Sequence, residues 1–233
     1  MYKGKFLSAV ITAAGSGTRM GLEINKPYLE IGTKKILELS LETVTSIEEF
    51  DEIILVIREE DFSLATEILS LFRDPRIKMV AGGASREEST YNGLIALNPD
   101  SDLVLSHDGV RPFASRGLFL RVLKEMETYK AAISATKSKD TVKVANENGE
   151  VDFTPNREFV YNIQTPQGFD TRLIKSLYKK YFESEAKITD DSQLFEFFDR
   201  DEPVKIVEGE YSNIKMTTTE DIIFAKAFIK GER

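Results

Sequence analysis

Cysteine and tryptophan are absent from the 233-residue sequence, and its single histidine is His107. Without cysteine the chain cannot form disulfides, thiolate zinc sites, iron–sulfur clusters or a thiol nucleophile. One histidine also excludes any metal site that needs two, although a lone general base stays open. No apolar run reaches the roughly 18 residues that cross a bilayer as a helix. These absences exclude thiol-based redox enzymes, cysteine-ligated metal proteins and helical membrane proteins.

Charged residues are plentiful but unbalanced, since 31 Lys and Arg face 39 Asp and Glu for a formal charge of −8. Such a chain lacks the basic surface needed to coat nucleic acid by bulk charge. The 41% hydrophobic share is ordinary for a folded protein, and we expect a single domain over 1–233. Lys3 and Lys5 before the apolar run 6–14 loosely resemble a signal peptide, but a buried first strand is the preferred interpretation. Because the lack of cysteine fits a reducing compartment, we expect a cytoplasmic protein.

Short β-branched runs alternate with amphipathic stretches along the chain. The expected strands are 6–13, 52–57, 77–80, 103–106, 131–136 and 204–207, and the expected helices are 36–45, 62–71, 86–96 and 118–129. Strands that are apolar on both faces and alternate with helices are typical of parallel sheets covered on both sides. The sequence therefore predicts an α/β fold with a doubly wound, mostly parallel sheet. Ligands of such folds bind beyond the carboxyl ends of the strands.

One segment, at about 139–155, breaks this alternation. The β-rich stretches 141–145 and 151–153 flank Asn146-Glu147-Asn148-Gly149, and Asn-Gly is a strong hairpin signal. A two-stranded hairpin is marginally stable alone, so it needs a surface to pack on. We expect a β-arm that projects from the sheet and joins two subunits into a homodimer.

A glycine-rich turn follows the first expected strand. Gly15 and Gly17 allow backbone N–H groups to approach a phosphate closely. The dinucleotide fingerprint fails at Met20, where a third glycine is required, and no Gly-Lys-Ser/Thr follows for a P-loop. Arg19 and Lys26 add two cations that suit a polyanion such as a nucleoside triphosphate. On these residues alone, an ordinary tight turn with solvated cations stays open.

The whole set of motifs resembles a known family. The turn is Ala13-Ala14-Gly15-Ser16-Gly17-Thr18-Arg19-Met20-Gly21 with Lys26; it is followed by Gly82-Gly83 with Arg86 and Ser89, Tyr91-Asn92-Gly93-Leu94, His107-Asp108 with Arg111-Pro112, Lys139-Asp140-Thr141-Val142-Lys143, Gln164-Thr165-Pro166-Gln167, Thr189-Asp190-Asp191 and Asn213-Ile214-Lys215. The turn is similar to that of the sugar-phosphate nucleotidyltransferases, which have a Rossmann-like fold. The later motifs resemble the cytidylyltransferases among them, most closely the family that acts on 2-C-methyl-D-erythritol 4-phosphate. The resemblance extends from about residue 7 to 228.

This resemblance implies a reaction and a set of site residues. The cytidylyl group of CTP would pass to 2-C-methyl-D-erythritol 4-phosphate with release of pyrophosphate, in non-mevalonate isoprenoid biosynthesis. The implied nucleotide site comprises Ala13, Ala14, Gly15, Gly17, Arg19, Lys26, Gly82, Gly83, Ser89, Asp108 and Gly109. The implied acceptor site comprises Arg111, Thr141, Arg157, Thr165 and Lys215, in part from a partner subunit, because in the family the arm reaches across a dimer. Catalysis is assigned to Arg19, Lys26, Arg157 and Lys215, and a Mg²⁺ cofactor to Asp108.

The acceptor phosphate is itself the expected nucleophile. Its second pKa is ~6, so it arrives at neutral pH mostly as a dianion and needs no general base. We therefore interpret His107 as structural. Positioning and electrostatic stabilisation are left as the main sources of catalysis.

The sequence differs from the family pattern at three places, and three alternative functions are considered beside this hypothesis. Ala84 replaces a commoner Asp, Gly109-Val110 replaces Ala-Ala, and Pro27 replaces a common Gln. The nearest rival is a cytidylyltransferase for another polyol phosphate, such as ribitol 5-phosphate. A non-catalytic nucleotide-binding module on the same fold is a second rival, and a nicotinamide-dependent dehydrogenase, disfavoured by Met20, is a third.

Overall fold

The computed structural model describes residues 1–15 and 25–231. Gly17 and Arg19, two of the predicted site residues, lie outside the described residues. The strands in the described part are β1 (Leu7–Thr12), β2 (Glu30–Ile31), β3 (Lys34–Lys35), β4 (Glu52–Ile57), β5 (Ile77–Ala81), β6 (Leu103–Asp108), β7 (Ala131–Lys137), β8 (Val144–Ala145), β9 (Val151–Phe153), β10 (Tyr161–Asp170) and β11 (Val204–Glu208). The helices are α1 (Ile36–Thr45), α2 (Phe62–Phe72), α3 (Arg86–Ile95), α4 (Arg116–Glu125), α5 (Thr171–Phe182), α6 (Gln193–Phe198) and α7 (Thr219–Lys230). None of these described helices is long and apolar enough to cross a membrane.

Seven strands form the main sheet in the order β11-β7-β10-β6-β1-β4-β5. Neighbouring strands run parallel except at β10, which is antiparallel to both β6 and β7. The predicted α/β class and the mostly parallel sheet are confirmed. Because β1 and β6 are parallel neighbours, Thr12 pairs with Asp108 and their carboxyl ends meet at one edge of the sheet.

Both faces of the sheet are covered, as the apolar strands predict. Ile53 and Leu55 of β4 join the core under α1, α2 and α4, whereas Ile54 and Val56 join the core under α3, α5 and α6. All four side chains are fully buried. Alternate residues of one strand thus face opposite layers, which is the reason that residues 53–57 of this strand are all apolar.

The long strand β10 and the three helices after it were not among the expected elements. Pro166 lies within β10, and proline normally argues against an interior strand because it cannot donate to the ladder. Here the register with β7 shifts between Ile163 and Gln167, which places Pro166 in an irregular stretch of the pairing. Polar side chains in this stretch also removed the apolar signal. Irregular strand pairing of this kind is common next to functional sites, where it redirects a side chain, and such strands lack the usual apolar alternation.

The β-arm is present and shorter than predicted. Its strands β8 and β9 pair antiparallel with each other and not with the main sheet. The first begins at Val144 rather than at residue 141. Asn146 Oδ1 accepts hydrogen bonds from the backbone N–H groups of Asn148 and Glu150, each at 3.0 Å, which closes the predicted turn. The hydrophobic side chains of Val151 and Phe153 are exposed on this arm.

Helix α4 also differs from the expected range 118–129, because it begins and ends earlier. Ser115 caps it by accepting a hydrogen bond from the backbone N–H of Leu118 at 3.1 Å. A serine just before the first turn is a typical start signal, and apolar periodicity alone places the boundary too late.

Candidate active site

A cavity of about 850 Å³ opens at the carboxyl ends of β1 and β5. Ala13, Ala14 and Gly15 line one side of it, and Gly82 and Gly83 line the other. A Cβ on Gly82 would lie 2.5 Å from Ala14 Cβ, so only glycine lets the two turns approach this closely. The volume is within the usual range of small-ligand sites.

Ser89, another predicted nucleotide contact, lines the same cavity and orders its glycine turn. Its hydroxyl donates to the Ser85 carbonyl at 2.8 Å and accepts from the Gly83 N–H at 3.0 Å. Backbone groups of a turn held in this way can bind the polar edge of a flat base. Ala84, one of the three departures, also lines this wall.

Lys26 enters the cavity from the 3-10 turn Lys26–Tyr28. The side chain is buried, and Nζ donates to the Thr217 carbonyl at 2.8 Å. Asn25 fixes the turn by accepting from the Lys26 N–H at 3.0 Å. Pro27 occupies the first turn of a helical segment, where its lost N–H has no helical partner, so this departure is compatible with the local structure.

Asp108 ends β6 and is the centre of a buried charge cluster. Its Oδ2 lies 3.0 Å from Arg111 Nε and 3.0 Å from Lys215 Nζ. Burial alone raises the pKa of this carboxyl, but Lys215, Arg111 and Arg86 outweigh burial and hold the pKa well below its usual range. Asp108 is therefore ionised at any pH near neutrality.

The segment that carries Lys215 is fixed at both ends. Asn213, fully buried, donates from Nδ2 to the Thr165 carbonyl at 2.8 Å, and its own carbonyl accepts from Arg111 Nη1 at 2.9 Å. At the other end, the Thr217 N–H donates to Asp221 at 2.7 Å. This arrangement holds the Lys215 ammonium beside Asp108 before any ligand binds.

A second cavity, of about 870 Å³, lies beside β10. Arg111 and Thr165, two of the predicted acceptor residues, line it, and the two cavities share Arg86, Asp108 and Lys215. Two ligands that fill the two cavities would therefore meet at these three side chains.

Of the predicted site residues within 1–15 and 25–231, three are not brought into either cavity of the single chain. Thr141 lies on the exposed segment before β8, and exposed Arg157 donates from Nη1 to the Lys139 carbonyl at 3.3 Å. Gly109 lies beside the first cavity, where its N–H donates to the Thr12 carbonyl at 2.8 Å. A Cβ there would be 3.0 Å from Ala13 Cβ, so Gly109 supports the wall without lining it.

His107 lies behind the site and lines neither cavity. Its Nδ1 is 3.0 Å from the Thr165 hydroxyl, which itself accepts from the Asp108 N–H at 3.0 Å. Burial lowers the pKa of His107 to about 4, so the ring is neutral at pH 7. A neutral ring can accept the Thr165 proton at Nδ1, which connects His107 to the backbone of Asp108. This placement is what a structural histidine requires.

The carboxylates near the two cavities determine whether the site can bind Mg²⁺. Within residues 1–15 and 25–231, no group of three or more His, Cys, Asp or Glu side chains could hold a metal ion. Asp108 nevertheless provides a carboxylate at the junction of the cavities, and magnesium in nucleotide sites needs only one or two carboxylates because phosphate oxygens and water supply the rest. The residues therefore fit a magnesium ion that arrives with a nucleotide.

The two cavities meet at a buried carboxylate and its cations, at the strand ends of a doubly wound sheet. Because cations at a junction attract anions, this arrangement is typical of an α/β protein that brings two anionic ligands together. Comparison with known proteins makes this class more specific. The family model described as IspD, 2-C-methyl-D-erythritol 4-phosphate cytidylyltransferase, matches residues 7–231. The chain belongs to this family.

Individual relatives agree with the family match. A 2-C-methyl-D-erythritol 4-phosphate cytidylyltransferase of Clostridium tetani is 40% identical over 223 residues, which cover 95% of this chain and 89% of that protein. The crystal structure of a 4-diphosphocytidyl-2C-methyl-D-erythritol synthase from Anaerococcus prevotii is 58% identical, with a TM-score of 0.91 over 97% of both chains. The 2-C-methyl-D-erythritol 4-phosphate cytidylyltransferase from Thermus thermophilus is 28% identical, with a TM-score of 0.77 over 97% of this chain and 99% of that one.

Proposed function

We propose that this protein transfers the cytidylyl group of CTP to 2-C-methyl-D-erythritol 4-phosphate and releases pyrophosphate. Membership of the family supports the substrates. The observation that carries the mechanism is the pair of cavities that share Arg86, Asp108 and Lys215. CTP in one cavity and the acceptor in the other would present their reacting phosphates to the same charged side chains.

The glycine turn after β5 supports a pyrimidine in the first cavity. The wall around Gly82 and Gly83 is so close to β1 that even a Cβ at Gly82 would meet Ala14 and Ser89 at 2.5 and 2.9 Å. A narrow wall of backbone groups suits the smaller ring system and can donate and accept hydrogen bonds at its edge. The triphosphate would then extend past Gly15 towards Lys26.

The chemical step is an attack by an acceptor phosphate oxygen on the α-phosphorus of CTP. The new P–O bond forms as the bond from the α-phosphorus to pyrophosphate breaks, and no proton has to be removed because the acceptor is mostly a dianion. His107, neutral and behind the site, is not required. The main barrier is the repulsion of two anions, which fixed cations lower without reorganisation.

Each cation has a proposed role in this step. Lys26 and Lys215, with Arg19 from the glycine-rich turn, would stabilise the charge on the α-phosphate, and Arg111 would hold the acceptor. Asp108 holds Lys215 Nζ and Arg111 Nε in place, each at 3.0 Å from its Oδ2. Asp108 would also hold Mg²⁺ with the phosphate oxygens, and the ion supplies additional neutralisation of the triphosphate charge.

The β-arm supports a homodimer as part of the proposal. Val151, Phe153 and Phe159 expose 61%, 52% and 78% of their surfaces on and beside the arm, and a second subunit would cover them. Thr141 and Arg157 would then act in the partner's acceptor site. Sedimentation equilibrium tests this: we expect twice the chain mass, and a monomer at micromolar concentration that retains full activity would contradict the shared site.

Because both substrates are charged and water-soluble, we place the reaction in the cytoplasm.

A substrate matrix tests the proposed reaction. Each of the four common ribonucleoside triphosphates is combined with 2-C-methyl-D-erythritol 4-phosphate, ribitol 5-phosphate or no acceptor, with Mg²⁺, and pyrophosphate release is measured. We expect release with CTP and the methylerythritol phosphate, and its loss when EDTA replaces Mg²⁺. Preference for ribitol 5-phosphate would move the protein to the nearest rival, and nucleotide binding with no pyrophosphate in any combination would make it a non-catalytic module.

A further inference from the structure

Arg86 is the one cation at the junction for which the sequence suggested no role. It is the first residue of α3, directly after the Ser85 N-cap. It lines both cavities together with Asp108 and Lys215. Nη1 is buried and, among the described residues, makes no hydrogen bond with good geometry, although it lies 3.0 Å from Asp191 Oδ1. Nη1 thus faces Asp191, but 34% of the Arg86 side chain is exposed, so the other N–H groups of the guanidinium can donate to a phosphate.

A buried network holds Arg86 in this position. Asp191 is 2% exposed, and its Oδ1 accepts from the Tyr178 hydroxyl at 2.7 Å. Its Oδ2 accepts from the Ser106 hydroxyl at 3.0 Å. Ser106 lies two positions before Asp108 on β6, so the same strand positions both carboxylates. Asp191 cannot follow a moving guanidinium, because both of its oxygens are already bound.

Electrostatics favours a charged Arg86 at the meeting point of the cavities. The charge of Asp191 raises the pKa of Arg86 against the opposing effect of burial, and Asp108 adds to this effect. Arg86 in turn helps to lower the pKa of Asp108. Asp191 thus holds the guanidinium by direct contact, and the charge of Asp108 favours it from farther away, at the place where two phosphates would have to approach.

We propose that Arg86 is a further catalytic residue, which donates to the reacting phosphates across both cavities, and that Asp191 and Tyr178 are positioning residues that fix it there. This inference rests on the proposed function, because it concerns the phosphates of that reaction. Arg86 contributes more in the transition state than in either ground state, since only there do the two phosphates share one guanidinium. Its loss therefore lowers kcat more than it raises the KM of either substrate.

The first test compares Arg86→Gln and Arg86→Lys in the full-length protein, with pyrophosphate release as the assay. We expect kcat to fall by about 100-fold in Arg86→Gln, the usual loss for one transition-state donor, with KM for both substrates changed less than fivefold. Arg86→Lys restores part of kcat. A role limited to folding would leave kcat of the folded fraction within about threefold of the wild type, and that result would overturn the proposal.

A double variant separates catalysis from the stability of the ion pair. Arg86→Gln leaves Asp191 as a buried charge without its cation. Adding Asp191→Asn removes that charge; the amide oxygen still accepts from the Tyr178 hydroxyl, and the amide nitrogen can donate to the Ser106 hydroxyl oxygen. We expect the double variant to regain much of the melting temperature lost in Arg86→Gln but to keep the low kcat. Recovery of kcat together with stability would show that Arg86 serves only to neutralise Asp191.

The positioning part of the proposal is tested on helix α5. Tyr178→Phe removes one donor to Asp191, and Tyr181→Phe is the matched control, because its hydroxyl is not part of this network. We expect a three- to tenfold lower kcat with little change in KM for Tyr178→Phe, and wild-type values for Tyr181→Phe. Equal values for the two variants would contradict a positioning role. Wild-type activity in the substrate matrix is measured first, so failure of the proposed function is distinguished from failure of this inference.

Discussion

Replacement of Lys215 by alanine tests the charge cluster at the junction of the cavities. Nζ lies 3.0 Å from Asp108 Oδ2, and Lys215 lines both cavities. At this distance a unit charge pair is worth about 5 kcal/mol at an effective dielectric constant of about 20. Because 36% of the Lys215 side chain is exposed, solvent screens a substantial part of this interaction. A transferring phosphate oxygen held at a similar distance from Nζ would gain an interaction of comparable size. A screened effect of about 3–4 kcal/mol there corresponds to the 10²–10³-fold loss found for single transition-state donors.

The assay is steady-state pyrophosphate release with CTP and the methylerythritol phosphate. We expect Lys215→Ala to lower kcat by 10²–10³, and Lys215→Arg to retain more activity because it restores a charge near Asp108. Lys179→Ala is the control, since this lysine is exposed on α5. The reasoning is refuted if Lys215→Ala folds normally and keeps kcat within threefold of the wild type.

Three further predictions follow from the same geometry. Lys26→Ala should lower kcat by ~10²–10³ in the pyrophosphate assay, because it removes the side chain of a buried lysine from the cavity proposed to bind the triphosphate; unchanged kcat would refute this role. His107 has a folded pKa of about 4 and an unfolded pKa of about 6.5, so the neutral native form is fully favoured above pH 6.5 and loses stability as pH falls. Between pH 7 and 5 the free energy of unfolding should decrease by about 2 kcal/mol in urea melts, and His107→Gln should remove this slope; an equal slope in both proteins would contradict the buried neutral ring. Gly82→Ala should raise the KM for CTP and lower stability by about 1–3 kcal/mol, since its Cβ would lie 2.5 Å from Ala14 Cβ. The control Gly117→Ala, with its nearest neighbour at 3.5 Å, should leave the KM unchanged and should not lower stability, because alanine is the better helix former. A normal KM in Gly82→Ala would refute the close wall.

Local periodicity was sufficient to predict several of the strands and helices. The expected ranges 36–45 and 52–57 coincide with α1 and β4, because their apolar residues repeat at the spacing of one helix face and of a doubly covered strand. The strand β10 was missed for the opposite reason. Its stability depends on pairing with β6 and β7, and its own sequence contains Pro166 among polar residues.

The site was only partly predictable. The motifs identified Asp108 and Lys215, but the sequence between them does not predict that Asp108 Oδ2 and Lys215 Nζ lie 3.0 Å apart. That distance depends on buried Asn213, whose carbonyl binds Arg111, a residue 102 positions earlier. Neither Asn213 nor Arg86 was assigned a role from the sequence, because each acts through tertiary contacts. Their inclusion among the family motifs was the only available signal.

The predicted acceptor residues are only partly brought together within a single chain. Arg111 and Thr165 lie together in the second cavity, whereas Thr141 and Arg157 stay on the exposed surface near the arm. The proposed contribution of a second subunit depends on contacts between two chains, and residue spacing within one chain does not determine their geometry. The role of Thr141 and Arg157 therefore stays a prediction, as does that of Arg19.

A crystal structure with the acceptor and a CTP analogue that resists cleavage between the α- and β-phosphates tests the central claim most directly. We expect the pyrimidine against Gly82 and Gly83, the α-phosphate within hydrogen-bond distance of Lys26 and Lys215, and the acceptor phosphate beside Arg111. A nucleotide bound elsewhere, or an acceptor phosphate separated from the α-phosphate by the Asp108 cluster, would contradict the mechanism.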